Sequence, residues 1–296
     1  MADVEHVAAR LAGFLAAEVL PAAYADLFAE VYLPLAERIG AEARAHGPGF
    51  VVGLCGAQGS GKSTLAGALK AWLEGEGLSV AVLSIDDVYL PREARADLGV
   101  RVHPLLATRG PPGTHDVPLA EATLDALARP GRVALPSFDK AVDTRRPEGE
   151  WPVVEGPVDV VIFEGWCVGA RPQDPAALDP PINALERERD PDGVWRGFVN
   201  AALAGPYQSL FGRIGLYVLL AAPSFDAVLG WRIEQEHKLK ARLAREGRDP
   251  ARAMSDAEIA TFISHYERLT RHILAEAPAR ADVVIRLGYD RQPSAA

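Results

Sequence analysis

The sequence predicts an α/β fold, a parallel sheet wound by helices on both faces. Three observations predict it. The runs FVVGLCG (50–56), VDVVIFEG (158–165) and IGLYVLLAA (214–222) are apolar almost throughout, as strands buried on both faces require. Helix-period segments separate the strands. A glycine loop, GAQGSGKST (56–64), joins the first strand to a helix.

Each element has its own signal. Within residues 3–45, Val4, Val7, Ala8, Leu11, Phe14 and Leu15 recur at helical spacing, and Pro21 and Pro34 break or restart the pattern. HGPGF (46–50) is a turn before the first strand. Ser63–Leu73 continues the glycine loop as a helix. LSVAVLSI (78–85) is a second buried strand. Residues 91–116, rich in Pro, Gly and Arg, read as loop with a short helix. Leu119–Ala128 reads as a helix, and RVALPSFD (132–139) as a short strand running into a loop. Residues 170–193 read as irregular, and Gly193–Ala204 as weakly helical. Ser224 caps a long helix to Glu246. Ser255 opens another to about Glu276 with a capping box. ADVVIRL (281–287) is the last strand.

Composition excludes several classes. Lys and Arg number 31 against 40 Asp and Glu, a net charge of −9. Such a surface repels nucleic-acid phosphates, and no aromatic-basic cluster offsets it. Two cysteines, Cys55 and Cys167, make no disulfide framework and match no zinc spacing. They read as buried and inert, and cytoplasmic residence is expected. The N-terminus lacks the basic start and apolar run of a signal peptide, and no stretch is long and apolar enough for a membrane helix. There is no internal repeat.

The glycine loop satisfies GxxxxGK[ST], the phosphate-binding loop of P-loop NTPases. Gly56, Ala57, Gln58, Gly59, Ser60, Gly61, Lys62, Ser63 and Thr64 form it. Its glycines let backbone N–H groups converge on phosphate oxygens, and the helix N-terminus adds a positive dipole. Lys62 is expected to reach the β- and γ-phosphates of ATP, and Ser63 to ligate Mg²⁺. SIDDVYLP (84–91) places Asp86 and Asp87 at the end of the second strand. Asp86 is the candidate base for an acceptor hydroxyl, or a metal-side ligand, with Asp87 in support. In VIFEGW (161–166), Glu164 ends a strand where an acid holds the metal or its water. Paired acids also solvate ordinary strand ends.

Two loops carry candidate acceptor contacts. RGPPGTHD (109–116) supplies Arg109, His115 and Asp116, a set that suits a substrate-binding loop. FDKAVDTRR (138–146) supplies Asp139, Lys140, Arg145 and Arg146, which can clamp an anion. Tyr89 follows the paired acids. The helix at 231–248 is basic, and Arg232 is its first candidate for the charge on a transferring phosphoryl group. Glu234 and Lys238 sit at helical i, i+4 spacing.

The order of GAQGSGKST, SIDDVYLP, RGPPGTHDVPL, PSFDKAVDTRRP, VIFEGW, WRIEQE and MSDAEIATFISHY resembles the D-glycerate 3-kinase family, related to uridine kinase, phosphoribulokinase and bacterial pantothenate kinase. The likeness runs from about residue 50 to the C-terminus. It implies P-loop roles for Lys62 and Ser63, a catalytic acid at Asp86 and a metal-side acid at Glu164. It also implies an acceptor-facing acid at Asp116, acceptor or lid roles for Lys140 and Arg232, and a tail, GYDRQP (288–293), near the adenine. The expected organisation is one domain over 1–296: a helical extension at 1–47, then a nucleotide-binding and catalytic core at 48–296. The expected acceptor is a small anionic hydroxy acid. Two alternatives stay open: a kinase of a nucleoside or pantothenate-like metabolite, and a nucleotide-hydrolysing switch. Against the switch, a guanine-reading NKxD is absent, and the DxxG at Asp190–Gly193 follows no strand.

Overall fold

The computed structural model describes residues 4–246, 249 and 254–293. Helix α1 (Val4–Ala17) leads to α2 (Ala23–Leu27), a π-helical turn at Phe28–Tyr32 and α3 (Leu33–His46). Pro34 sits in the first turn of α3, where its missing N–H costs nothing. Strand β1 (Phe50–Gly56) feeds the glycine loop and α4 (Lys62–Gly75), followed by β2 (Val80–Ser84), α5 (Arg92–Arg101) and α6 (Val117–Leu127). Four short strands come next: β3 (Gly131–Ala134), β4 (Phe138–Asp139), β5 (Thr144–Arg145) and β6 (Val153–Gly156). Then come β7 (Val160–Gly165), α7 (Ala184–Arg189), α8 (Val194–Ala204), α9 (Pro206–Phe211) and β8 (Leu216–Ala221). The chain closes with α10 (Phe225–Arg245), α11 (Asp256–Glu276) and β9 (Val283–Arg286).

The main sheet runs β2-β7-β1-β8-β9, every pair parallel. Strands β1, β7 and β8 are buried at every residue, which is why their sequences are apolar without alternation. The outer strands β2 and β9 are only partly buried. The order reverses around β1, and a crevice opens there at the carboxyl ends of the strands. The glycine loop, Asp86 and Glu164 all lie at those ends. The core extends into the N-terminal helices, where Val7, Leu11 and Phe28 are fully buried with the strand residues.

Three readings of the sequence change. Strand β3 pairs antiparallel with β6, and β4 with β5, so two small ribbons stand where one strand and a loop were expected. Residues 170–193 contain a 3₁₀ turn at Pro175–Leu178 and α7, both capped by the side chain before them, Asp174 and Asn183. Helix α9 follows α8 directly, started by Pro206 at its first turn.

The capping box of α11 is formed as expected. The Ser255 hydroxyl accepts from Glu258 N–H and the Glu258 carboxylate accepts from Ser255 N–H. Ser255→Ala is expected to lower stability by about 1 kcal/mol, read as a lower midpoint in urea unfolding.

Candidate active site

The glycine loop rises from β1 with Gly59 and Gly61 in left-handed conformations, φ +78° and +85°. A side chain at Gly59 would meet Trp231 of α10, whose Cβ lies 2.9 Å from the position of an added Cβ. The loop and α10 therefore approach each other as closely as glycine allows. Ser60 N–H closes the loop onto Ala57 O at 3.2 Å.

A cleft of about 870 Å³ opens over this loop. Gln58, Gly59, Gly61, Lys62, Ser63 and Thr64 form its floor. Asp86, Tyr89, Arg109 and Lys140 line it from the segments beyond the strands, Glu164 from the end of β7, and Arg232, Lys238 and Arg245 from α10.

Asp86 stands on the 3₁₀ turn that follows β2, with its N–H donated to Ser84 Oγ at 3.3 Å. Its carboxylate accepts from Tyr89 OH at 3.1 Å and from Lys140 Nζ at 2.7 Å. Burial pushes this carboxyl up. The charges of Lys140 and Lys62 outweigh burial and hold it below its ordinary value of 3.8. It is a poised anion, 30 % exposed, facing the phosphate loop. Burial, and then the Asp86 charge, raise the Tyr89 hydroxyl, so it stays a donor.

Glu164 ends β7 beside the loop. Ser63 Oγ donates to Glu164 Oε1 at 3.2 Å, while Glu164 Oε2 is buried without a hydrogen-bond partner. A hydroxyl and a carboxylate with a free oxygen fit an ion that takes few protein ligands and completes its shell with phosphate and water, as Mg²⁺ does. No group of three or more His, Cys, Asp or Glu among the described residues forms a closed metal cage.

Other predicted residues take supporting places. Asp87 turns away, and Phe138 N–H donates to its carboxylate at 3.0 Å. His115 lies behind Tyr89, stacked on it at 4.4 Å, with Nδ1 2.6 Å from Tyr207 OH. Burial drives its imidazole down to about 3, and the Asp86 charge offsets this only in part, so it is neutral. Asp116 caps α6, accepting from Leu119 N–H at 3.1 Å, and pairs with Arg145 at 3.0 Å. Asp139 pairs with Arg146 at 2.9 Å. The structure thus brings Arg109 and Lys140 to the cleft. Asp87, His115, Asp116, Asp139 and Arg145 do not line it; each has a partner on a neighbouring loop or helix, though His115 Nε2 and Arg145 Nε are buried without one. Cys55 and Cys167 are buried and free, and burial pushes the Cys55 thiol up to about 11.

Sequence reasoning missed several residues. Tyr266 of α11 lines the cleft, and its hydroxyl donates to Arg109 O at 3.3 Å. Glu236 is buried and pairs with Arg232 at 2.6 Å, one turn along α10. Arg95, fully buried, donates to Leu90 O, Ala107 O and Asp143 O at 2.7–3.1 Å. The i, i+4 rule would have found the Arg232–Glu236 pair. The DxxG acid, Asp190, is buried in a different place: it accepts from Trp195 and Arg196 N–H and anchors α8. It is no part of the cleft.

A family model described as methylmalonyl-CoA mutase-associated GTPase MeaB matches residues 34–102. That stretch holds the glycine loop and the strands on either side of α4, the part of the fold common to many nucleotide-binding proteins. A Schizosaccharomyces pombe protein described as uncharacterized kinase mug58 is 36% identical over 228 residues, 73% of this chain and 78% of its own length. The chloroplastic D-glycerate 3-kinase of Arabidopsis thaliana is 30% identical over 268 residues, 83% of this chain; the chain spans 54% of that protein's length. The chain belongs to the D-glycerate 3-kinase family of P-loop kinases. A solved structure of a D-glycerate 3-kinase from Cryptococcus neoformans superposes on this family member with a TM-score of 0.72 at 28% identity, covering 88% of this chain and 95% of that one. No helix among the described residues of this kinase-family chain is long and apolar enough to cross a membrane.

Proposed function

We propose that the protein is an ATP-dependent kinase that phosphorylates a hydroxyl of D-glycerate, giving 3-phosphoglycerate. The observation that carries the reading is the poised Asp86 carboxylate facing the phosphate loop across the cleft, held by Tyr89 and Lys140. Two relatives described as D-glycerate 3-kinases support the acceptor.

The glycine loop and Lys62 hold the phosphates, with the terminal one toward Asp86. Ser63 and Glu164 would hold Mg²⁺, whose charge would offset that of the phosphates. Asp86 orients the acceptor hydroxyl and takes its proton as the oxygen bonds the γ-phosphorus and the bond to ADP breaks. Lys140 keeps Asp86 ionised before the transfer. Lys62, Arg232 and the loop N–H groups stabilise the charge spread over the phosphoryl oxygens. The acceptor carboxylate requires a cation on the far side of Asp86. With two buried thiols and no long apolar helix among the described residues, we place the enzyme in the cytoplasm.

The test is ADP release from Mg·ATP with D-glycerate, L-glycerate, uridine, pantothenate or no acceptor. Turnover is expected with D-glycerate alone, and Lys62→Ala is expected to lower it by about 10²-fold or more. Equal release without any acceptor would replace this reading with a hydrolytic switch. Turnover with uridine or pantothenate alone would replace the acceptor.

A further inference from the structure

Ribbon β4–β5 closes a four-residue loop, Lys140–Asp143, over the cleft. Its two charged residues each take a partner of opposite sign on the cleft wall. Lys140 pairs with Asp86 at 2.7 Å, and Asp143 pairs with Arg109. Asp143 itself sits at φ +57°, a conformation that non-glycine residues adopt rarely. The fully buried Arg95 holds it there, donating to its carbonyl at 2.7 Å and pairing with its carboxylate at 2.9 Å. The ring of Phe138 backs both arginines, 5.9 Å from Arg95 and 5.8 Å from Arg109.

The charges around this loop do not balance. Lys140 and Asp86 cancel. Asp143 is shared between Arg95 and Arg109, so the three together keep one positive charge. Arg95 has no exposure, and Arg109 lines the cleft. The surplus therefore faces the acceptor. Asp143 takes Nη1 of Arg109, while Nε and Nη2 make no hydrogen bond to the described residues. A guanidinium with free donors in its fork matches a carboxylate in charge and in geometry. Tyr89 and Tyr266 line the same cleft, one hydroxyl donating to Asp86 and the other to the Arg109 carbonyl. The remaining loop cations are spent: Arg145 on Asp116 and Arg146 on Asp139.

We infer that Arg109, oriented by Asp143, is the residue that selects an acceptor carrying a carboxylate, with Asp86 taking the hydroxyl of the same molecule. Asp143 is a positioning residue, fixed by Arg95. The inference rests on the glycerate reading above and adds the determinant of acceptor charge.

The experiment uses the full chain with Mg·ATP and three acceptors: D-glycerate, its methyl ester and glycerol. The ester keeps the hydroxyls and loses the charge. The unaltered protein is expected to favour D-glycerate over the ester by about 10²-fold or more in kcat/KM. Arg109→Met is expected to raise the D-glycerate KM by a similar factor, to leave the KM for ATP within about twofold, and to abolish the preference over the ester. Arg109→Lys keeps the charge without the fork and is expected to fall between them. Asp143→Asn is expected to raise the D-glycerate KM several-fold at unchanged kcat, a split that a general loss of folding would not produce. D-glycerate turnover by the unaltered protein, with KM and ester discrimination unchanged in Arg109→Met, would overturn the Arg109 assignment and leave the glycerate reading standing. No turnover of D-glycerate by the unaltered protein would overturn both.

Discussion

Asp86→Asn is expected to lower kcat by about 10²–10⁴-fold, the range that a positioned general base contributes. Nucleotide affinity is expected to hold, because Lys62, Ser63 and the loop N–H groups are untouched. The amide keeps the size of the carboxylate and still accepts from Tyr89 or Lys140, so the fold is expected to survive. Direct titration of ATP beside a steady-state assay separates the two quantities. The same carboxylate predicts a pH profile. Its folded value lies below the ordinary 3.8, and the reactive form is the anion. Activity dependent on Asp86 is therefore present at neutral pH and lost only as pH falls through that depressed value. An acid limb near pH 6 would assign the base elsewhere. Turnover of Asp86→Asn equal to that of the unaltered protein would remove the centre of the mechanism.

Arg95→Met is expected to cost about 3–5 kcal/mol of stability, because three backbone carbonyls lose a charged donor. The side chain has no exposure and spans three backbone carbonyls as well as the Asp143 carboxylate. Methionine fills much of the volume and supplies no donor, so those acceptors lose their partner. A denaturant midpoint shifted by less than about 1 kcal/mol would show that water or a loop shift replaces the arginine. Because the same contact fixes Asp143, the surviving protein is also expected to bind its acceptor more weakly.

These two residues mark the limits of what the sequence discloses. Asp86 was legible because a continuous apolar strand delivers it and a glycine loop follows another such strand. Glu164 was legible for the same reason. Both rest on local patterns that survive without tertiary information. Arg95 had no such pattern. It stands in REARADLGVR, a stretch with four other charged residues, and its burial comes from carbonyls on three separate loops. The ribbon β4–β5 was hidden because two-residue strands carry no periodicity. The acceptor loops were found as charge clusters. Which charges face the cleft depends on pairings such as Arg145 with Asp116, twenty-nine residues apart, which spacing does not disclose. Asp116 matched an acceptor-facing acid by resemblance; in the structure its carboxylate caps α6 and pairs with Arg145, two contacts that the motif does not disclose.

The contact between Gly59 and Trp231 couples α10 to the phosphate loop, while buried Leu243 and the His237–Asp256 bond hold its farther part. In its second turn, Trp231 packs against the phosphate loop and donates its indole N–H to Tyr289 O at 2.6 Å. From there to Arg245 it runs about 20 Å at the α-helical rise, with Arg232 near the contact and Lys238 and Arg245 farther out along the cleft wall. The close approach therefore ties the position of the glycine loop to that of Arg232, the next residue along the helix.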